Sequence, residues 1–208
     1  MINLTANIAE YRFPFPYFRG TGLVDQGDLE ALDSSAPAAE RFEHLDRSAG
    51  DVRRRYSLSV LPLLDEATGL KPDLATFAEP WRQLVTELLS EEVTRWLGAV
   101  TGVNTIGLRR NSSIFRHQDG DFQGLSTGKL DKRLQFSLHL NPNWPEDGDG
   151  CSELYAGSDQ TPGPHTRLLP IGGSAILYTP TPSSWHRMAP VDPNRGLLRQ
   201  WITLAFFR

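Results

Sequence analysis

Two hydrophobic periods divide the chain near residue 103. Over residues 72–100, apolar side chains recur at steps of three and four, which is the spacing of amphipathic helices. Pro80 and Ser90 are expected to break this region into two or three helices, and Gly102 to follow its end. Beyond this point the pattern changes to short alternating runs separated by Gly, Pro, Asp and Asn, which predict strands.

Eight strands with no helix between them are predicted in the second half of the chain. They cover residues 104–110, 112–119, 133–141, 152–156, 166–169, 174–179, 185–191 and 197–207. Short strands at this spacing are typical of an antiparallel sandwich or barrel. The predicted fold class is α+β, with N-terminal helices bracing the outside of the sheet. We expect one domain over 1–208, with 1–103 mainly helical support with some strands and 104–208 the β core.

The first third of the chain has mixed character. Residues 25–35 and 37–47 have helical spacing and acidic first turns. Residues 52–60 alternate between apolar and polar positions and predict a strand. This part of the chain is therefore expected to add two helices and a strand.

The run at 133–141 has one apolar face and one polar face. Its apolar face comprises Leu134, Phe136, Leu138 and Leu140, and its polar face comprises Arg133, Gln135, Ser137 and His139. The run at 197–207 divides into an apolar set of Leu198, Ile202, Leu204 and Phe206 and a mixed set of Arg199, Trp201, Thr203 and Ala205. The polar face would meet water in a surface sheet and line a pocket in a barrel, and the pattern is compatible with both.

Composition narrows the classes of partner and the cellular compartment. The chain has 208 residues and a formal net charge of −4, and its short basic cluster at 53–55 is best explained as a solvated face. We therefore expect neither a nucleic-acid nor a membrane partner. Cys151 is the only cysteine, which excludes an internal disulfide and a thiolate zinc cluster. Without a secretory signal pattern or an apolar run of membrane-spanning length, the protein is expected to be soluble and cytoplasmic.

A candidate metal site is formed by His117, Asp119 and His186. His117 and Asp119 end a strand-like run, on which residues two apart share a face, and His186 lies on a later predicted strand. A His-x-Asp pair alone is a weak signal. Two histidines and one carboxylate leave coordination positions open for a chelating cosubstrate and dioxygen, which suits iron(II), with zinc as the alternative.

Other candidate residues differ in their setting. His44 is predicted on a solvated helix face and His165 in a loop, whereas His139 lies on the polar face of a central strand. A core histidine and a hydrogen-bond donor to a cosubstrate are both compatible with that position. Arg199 begins the last strand and could bind a dicarboxylate through its planar fork, the alternative being a surface arginine.

Five stretches together resemble the 2-oxoglutarate- and iron(II)-dependent oxygenases, and most closely the prolyl-hydroxylase-like branch. They are FRHQDGD, RLQFSLHLNPNW, LLPIGGSAILYTP, SWHRMAPV and RQWITLAFF, in the order and at spacings compatible with that family. The resemblance covers roughly residues 104 to 208 and implies a double-stranded β-helix, which is a distorted, cupin-like jelly roll. It also implies that His117, Asp119 and His186 bind iron. By the same resemblance, Arg199 pairs with the distal carboxylate of 2-oxoglutarate, and His139 lies where relatives often have a tyrosine that contacts it.

The resemblance implies a dioxygenase that uses Fe(II), 2-oxoglutarate and O2 and releases succinate and CO2. The expected reaction is hydroxylation of an unactivated C–H bond in a small molecule, such as an amino acid or an intermediate of specialised metabolism. Alternatives are a prolyl or other protein residue as substrate, and a non-catalytic metal-binding protein that acts as sensor or scaffold. The loop at 120–132 is a candidate lid or a surface connection. The chain departs from the family at DGDGCSEL and in the long interval between His186 and Arg199.

Overall fold

A computed structural model of the chain describes residues 1–49, 55–147, 150–161 and 163–208. Within these ranges the helices are α1 (Gln26–Ser34), α2 (Glu79–Leu88) and α3 (Glu91–Thr101). The strands are β1 (Ile8–Tyr11), β2 (Tyr17–Gly20), β3 (Glu43–Arg47), β4 (Tyr56–Asp65), β5 (Arg109–His117), β6 (Phe122–Ser126), β7 (Lys132–His139), β8 (Ser152–Leu154), β9 (Thr166–Leu168), β10 (Ala175–Tyr178), β11 (His186–Met188) and β12 (Arg199–Phe207).

The strands form one antiparallel sheet that rolls into a half-barrel. Their order is β1-β2-β10-β7-β12-β5-β4-β6-β11-β8-β9, with β3 paired to the outer side of this path on β4. Two contacts span the interior: Arg199 on β12 reaches Ser152 on β8, and Tyr178 on β10 reaches His186 on β11. The early and late parts of the strand order therefore face each other, as in a jelly roll.

The predicted alternation on β7 and β12 is confirmed, and it separates the hydrophobic core from the interior of the half-barrel. Leu134, Phe136, Leu138, Ile202, Leu204 and Phe206 join the main core cluster together with residues of all three helices. Trp96 of α3 meets Phe136 edge-on, with ring centroids 6.5 Å apart. Ser137 and His139 lie on the opposite face, paired with Thr203 and Trp201. The polar face is therefore the inner face of a rolled sheet.

Local sequence signals explain the two long helices. Pro80 lies in the first turn of α2, where a missing N–H is harmless, so the break predicted at Pro80 is the start of this helix. The hydroxyl of Ser90 accepts a hydrogen bond from the N–H of Val93 and caps α3. Gly102 ends α3 with a φ of 71°, a left-handed conformation that glycine adopts without strain.

Two predictions are wrong: the helix at 37–47 and the strand at 104–110. Residues 37–47, predicted as a helix, form a short 3-10 turn (Ala39–Arg41) followed by β3, because β4 offers this segment a strand to pair with. His44 is accordingly an exposed strand residue rather than a helical one. Residues 104–110 form a turn around Gly107, whose φ is 78°, and only their last two positions belong to β5.

The segment after His117 also differs from the prediction. The loop expected at 120–132 contains strand β6, which pairs with β4 and β11. The predicted strand at 52–60 is observed from Tyr56 onward as β4, while its beginning and part of the basic cluster at 53–55 lie outside the described residues. Among the residues that the structure describes, no helix has both the length and the apolar character needed to cross a membrane.

Candidate functional site

Three of the residues predicted from the sequence meet inside the half-barrel. His117 is the last residue of β5 and pairs with Arg199, the first residue of β12, and neither is exposed to solvent. Trp201 follows on the same face and pairs with His139, which is 3% exposed. The centroid of the Trp201 ring lies 4.7 Å from that of the His117 ring and 5.0 Å from the guanidinium carbon of Arg199. Arg199, His117, His139 and Trp201 form what we call the arginine cluster.

Arg199 is a buried cation without an anionic partner among the residues that the structure describes. Its Nη1 donates to the carbonyl oxygen of Gly150 at 2.6 Å, and its Nη2 donates to the hydroxyl of Ser152 at 2.9 Å. Its Nε has no hydrogen-bond partner, and no described carboxylate forms an ion pair with it. Burial lowers the pKa of Arg199 to about 9, because the charged form loses its hydration.

The two histidines of the arginine cluster also have unpaired nitrogen atoms. Neither ring nitrogen of His117 has a hydrogen-bond partner, and Nδ1 of His139 has none either. Burial holds the pKa of both imidazoles well below the usual value, and the charge of Arg199 lowers both further. Both histidines are therefore neutral near pH 7. The cluster thus combines one fixed positive charge with three polar groups that lack partners, and such buried groups are rare in folded proteins.

Asp119 lies apart from this cluster. The strand predicted over 112–119 ends at His117, and Asp119 is an exposed turn residue with a φ of 47°. The alternation of a strand therefore does not carry over to it. Asp121 is the buried carboxylate of this turn: it accepts hydrogen bonds from the hydroxyl of Ser57 and from the N–H of Gln118. Asp121 holds the turn closed and leaves Asp119 at the surface.

His186 lies on β11 with both ring nitrogens engaged. Nδ1 is 2.8 Å from the carbonyl oxygen of Ser184, which can only accept, so Nδ1 carries the proton. Nε2 therefore accepts the hydrogen bond from the hydroxyl of Tyr178 at 3.0 Å. Burial lowers the pKa of His186, so this neutral tautomer dominates near pH 7. The hydrogen bond from the Tyr178 hydroxyl thus occupies Nε2, the nitrogen of His186 that a metal ion would need.

A cleft leads to the arginine cluster between β2, β9 and β10. Its lining includes Arg19, His139, Ser152, Leu168 and Ile176. Ser152 is the residue whose hydroxyl accepts from Arg199, and His139 belongs to the cluster itself. The cleft therefore lies between His139 of the arginine cluster and the half-buried residue Arg19.

Comparisons with known proteins find similarity in structure rather than in sequence. No protein-family profile matches this sequence, and no curated protein matches it either. A prolyl-4-hydroxylase from Pseudomonas putida has a TM-score of 0.60 at 15% identity, with 92% of each chain covered. An oxidoreductase of the 2OG-Fe(II) oxygenase family from Burkholderia pseudomallei has a TM-score of 0.56 at 16% identity, covering 87% of this chain and 78% of that one.

A third similar structure is HygX from Streptomyces hygroscopicus, with nickel and 2-oxoglutarate bound. Its TM-score is 0.56 at 14% identity, covering 92% of this chain and 82% of that one. The chain has the fold of the 2-oxoglutarate and iron(II) oxygenases. The jelly-roll architecture expected from the sequence is thereby confirmed, and a prolyl hydroxylase stands among the oxygenase folds most similar to it.

The oxygenase fold implies an iron site, and the positions of the predicted ligands do not fit one. Among the described residues, no group of three His, Cys, Asp or Glu side chains is placed to hold a metal ion. His117 lies beside Arg199, Asp119 is exposed in its turn, and His186 is bonded to Tyr178. Both histidines have the neutral state that a metal ligand requires, but the three residues are not brought together.

Several residues of the site were not anticipated from the sequence. Tyr178 and Ile176 belong to an alternating strand, so a signal for one inward face existed, but only the strand pairing shows which residues they meet. Ser152 follows the altered turn near residue 150 and gave no signal of its own. Arg19 lies in a short N-terminal strand whose pairing with β10 spans more than 150 residues, and no local pattern predicts that contact.

Proposed function

We propose that this protein binds a small dicarboxylate of the 2-oxoglutarate type, with one carboxylate at Arg199. The observation that carries the proposal is the fully buried guanidinium of Arg199, which has an unpaired Nε and no anionic partner among the described residues. A buried charge without a partner destabilises a folded protein by several kcal/mol in order of magnitude. A bound carboxylate would remove that cost through charge-assisted hydrogen bonds.

The surroundings of Arg199 support a molecule with two acidic ends. His139 of the arginine cluster and Arg19 line the same cleft, so a second carboxylate bound there would have a second cation beside it. Neutral His139 also offers a ring nitrogen without a hydrogen-bond partner among the described residues. The bound 2-oxoglutarate in the HygX structure is a ligand of this chemical type in the same fold.

The first prediction concerns Arg199→Met, which keeps side-chain length and removes the charge. In metal-free buffer with a chelator, 2-oxoglutarate should bind the wild-type protein measurably in calorimetry. The variant should bind roughly 10- to 100-fold more weakly, because hydrogen bonds to a charged group contribute about 1.5–3 kcal/mol each. Succinate should follow the same pattern, and a monocarboxylate of equal length should bind more weakly to the wild type.

Arg109→Met is the matched control, since Arg109 lies at the far end of β5 and its side chain donates to the carbonyl oxygen of Arg208. This variant should bind 2-oxoglutarate as the wild type does. Chemical unfolding of Arg199→Met should show a protein at least as stable as the wild type in the absence of ligand, because an unpaired charge is removed. Equal affinity in both variants, or no binding to the wild type, would contradict the proposal.

A second candidate is a complete oxygenase that hydroxylates a C–H bond with Fe(II), 2-oxoglutarate and O2. The specific observation in its favour is the similarity to structures named as an oxygenase and a hydroxylase. It requires His117, Asp119 and His186 to converge when iron binds. In this candidate the helices packed on the outer face of β7 and β12 brace the sheet. The turn after His117 and strand β6 would have to move to bring the three ligands together. A cytoplasmic location remains a prediction from the sequence.

The substrate of such an oxygenase would be a small molecule or a protein residue. The sequence favours a small molecule, and the similarity to a prolyl-4-hydroxylase supports a prolyl residue as the alternative. Succinate release should be measured against amino acids, metabolites and proline-containing peptides. Anaerobic addition of Fe(II) and 2-oxoglutarate should produce a weak visible charge-transfer band, and Asp119→Ala should remove it. No band in the wild type would eliminate this candidate and leave dicarboxylate binding untouched.

A further inference from the structure

The strand beside His186 is the place where the structure and the expected iron site disagree most sharply. We infer that His186 faces an incomplete metal site whose two other positions are occupied by Ser126 and Gly128. In consequence the wild-type chain holds no iron at this histidine. The inference is independent of dicarboxylate binding, because it concerns a different histidine and is tested without any carboxylate present.

The strand register places both positions at the imidazole. β6 and β11 are antiparallel, and Ser126 is the Cα partner of His186. Directly opposed residues in such a pair project to the same face, with Cβ atoms about 4.5–5.5 Å apart. Gly128 lies two residues further, and a Cβ added there would be 3.7 Å from Cε1 of His186. Side chains at 126 and 128 would therefore both begin in contact range of the His186 ring.

The orientation of His186 is that of a metal ligand without its metal. In metal sites, a histidine commonly donates one ring N–H to a carbonyl or carboxylate, which directs the other nitrogen to the ion. Nδ1 of His186 makes this bond to Ser184, which leaves Nε2 as the nitrogen that would bind an ion. Because position 126 is a serine and position 128 a glycine, neither position supplies a second or third metal ligand beside Nε2 of His186. The Tyr178 hydroxyl occupies it instead.

The position of His117 argues against His117 as a second metal ligand beside His186. It pairs with Arg199, and the guanidinium charge opposes the approach of a divalent cation in a buried site. Ser126 and Gly128, by contrast, are half-buried and exposed, and Ser126 lies directly opposite His186 on β6. Completion of the site therefore requires new ligands at 126 and 128 rather than a movement of His117.

The test is to supply those ligands. The double variant Ser126→His with Gly128→Asp places an imidazole opposite His186 and a carboxylate beside it. Asp is among the residues that best tolerate the φ of 77° at position 128. Co(II) is a suitable probe because its visible spectrum reports coordination. The double variant should bind one Co(II) per chain in spectroscopic titration and calorimetry, and the wild type should bind no more than His186→Ala does.

Two controls separate a designed site from incidental binding. Adding His186→Ala to the double variant should abolish Co(II) binding, and Asn in place of Asp at 128 should weaken it at least about tenfold. If the double variant does not fold, as judged by circular dichroism, Ser126→His alone should still bind Ni(II) through a cross-strand histidine pair that His186→Ala removes.

Two results would overturn the inference. One is wild-type binding of Fe(II) or Co(II) that is lost on replacing His117, Asp119 or His186 singly, since this would restore the ligand set expected from the sequence. The other is a folded double variant, or a folded Ser126→His variant, that binds no metal.

Discussion

Histidines without charge partners make the stability of this protein depend on pH. His117 and His139 are buried beside Arg199, and burial, followed by the charge of Arg199, keeps their pKa well below the usual value. The unfolded chain takes up protons at both residues below about pH 6.5, whereas the folded protein does not. Stability is therefore full above that pH and falls as the pH decreases below it.

Urea unfolding at pH 7.5 and at pH 5.5 measures this effect. Each histidine should contribute up to about 1.4 kcal/mol of lost stability for each pH unit below 6.5. Replacing His139 by Gln, which cannot titrate, should reduce the slope. Equal slopes in the wild type and in His139→Gln would contradict the assignment of a buried neutral imidazole.

At the same scale, Asp119 shows why a pattern of residues does not ensure a site. The predicted pairing of His117 with Asp119 depended on a strand continuing through both. The backbone instead turns at Gln118, with hydrogen bonds from Gly120 to Val191 and from Asp121 to Gln118. These are long-range and turn contacts, and a local alternation of two residues contains no information about them.

Among the elements, β8, β9 and β11 are joined by one buried carboxylate. Glu153 on β8 has a side chain that is only 3% exposed and forms ion pairs with Arg167 on β9 and Arg187 on β11. The hydroxyl of Tyr155 donates to the same carboxylate at 2.7 Å. Arg187 is adjacent to His186, so this network fixes the position of the strand that carries the incomplete metal site.

Glu153→Gln should therefore destabilise the protein by about 3 kcal/mol, since it leaves buried donors and two guanidinium groups without their counter-charge. Arg167→Gln is the comparison, because the Arg167 side chain is 62% exposed and an exposed pair contributes about 1 kcal/mol or less. Thermal or urea unfolding gives both values. A Glu153→Gln protein as stable as Arg167→Gln would mean that the network does not hold these strands.

Elements with strong local signals were predicted from the sequence, and elements that depend on distant partners were not. The helix break at Ser90, the helix end at Gly102 and the two-residue alternation of β7 and β12 are local signals, and all are observed. By contrast, β3 exists because β4 is beside it, and β6 because β4 and β11 are, although the residues of both gave no alternating pattern. Three members of the arginine cluster, Arg199, His117 and His139, were named as candidate site residues from the sequence, whereas Trp201 was not. The roles of Ser126 and Gly128 depend on strand register.

For the molecule as a whole, the first half contributes more to the sheet than its helical pattern suggested. β1 to β4 all join the sheet that the second half builds, and β2 pairs with β10 at the opposite end of the sequence. The resemblance in sequence covered only the region after residue 104. The structural similarity to a prolyl-4-hydroxylase covers 92% of the chain, because strand pairing is retained where sequence identity is not.

The two ends of the strand order meet through side chains alone. At this seam, Phe15 and Tyr17 pack with Leu154 and Leu168, and no strand pairing among the described residues joins β9 to β1 or β2. The cleft that reaches the arginine cluster at His139 shares Leu168 and Ile176 with this apolar seam. Side-chain contacts separate more readily than a hydrogen-bonded ladder, so the seam is where the barrel can open at the lowest free energy.

We expect the seam to open more often than the hydrogen-bonded parts of the sheet. Amide hydrogens of β9, a three-residue strand with a single neighbour, should exchange with solvent much faster than those of β12, which has a neighbour on each side. Hydrogen-exchange mass spectrometry with and without 2-oxoglutarate measures this directly. A ligand held at Arg199 should slow exchange in β9 more than elsewhere, and the rate of seam opening should then set how long the ligand stays bound.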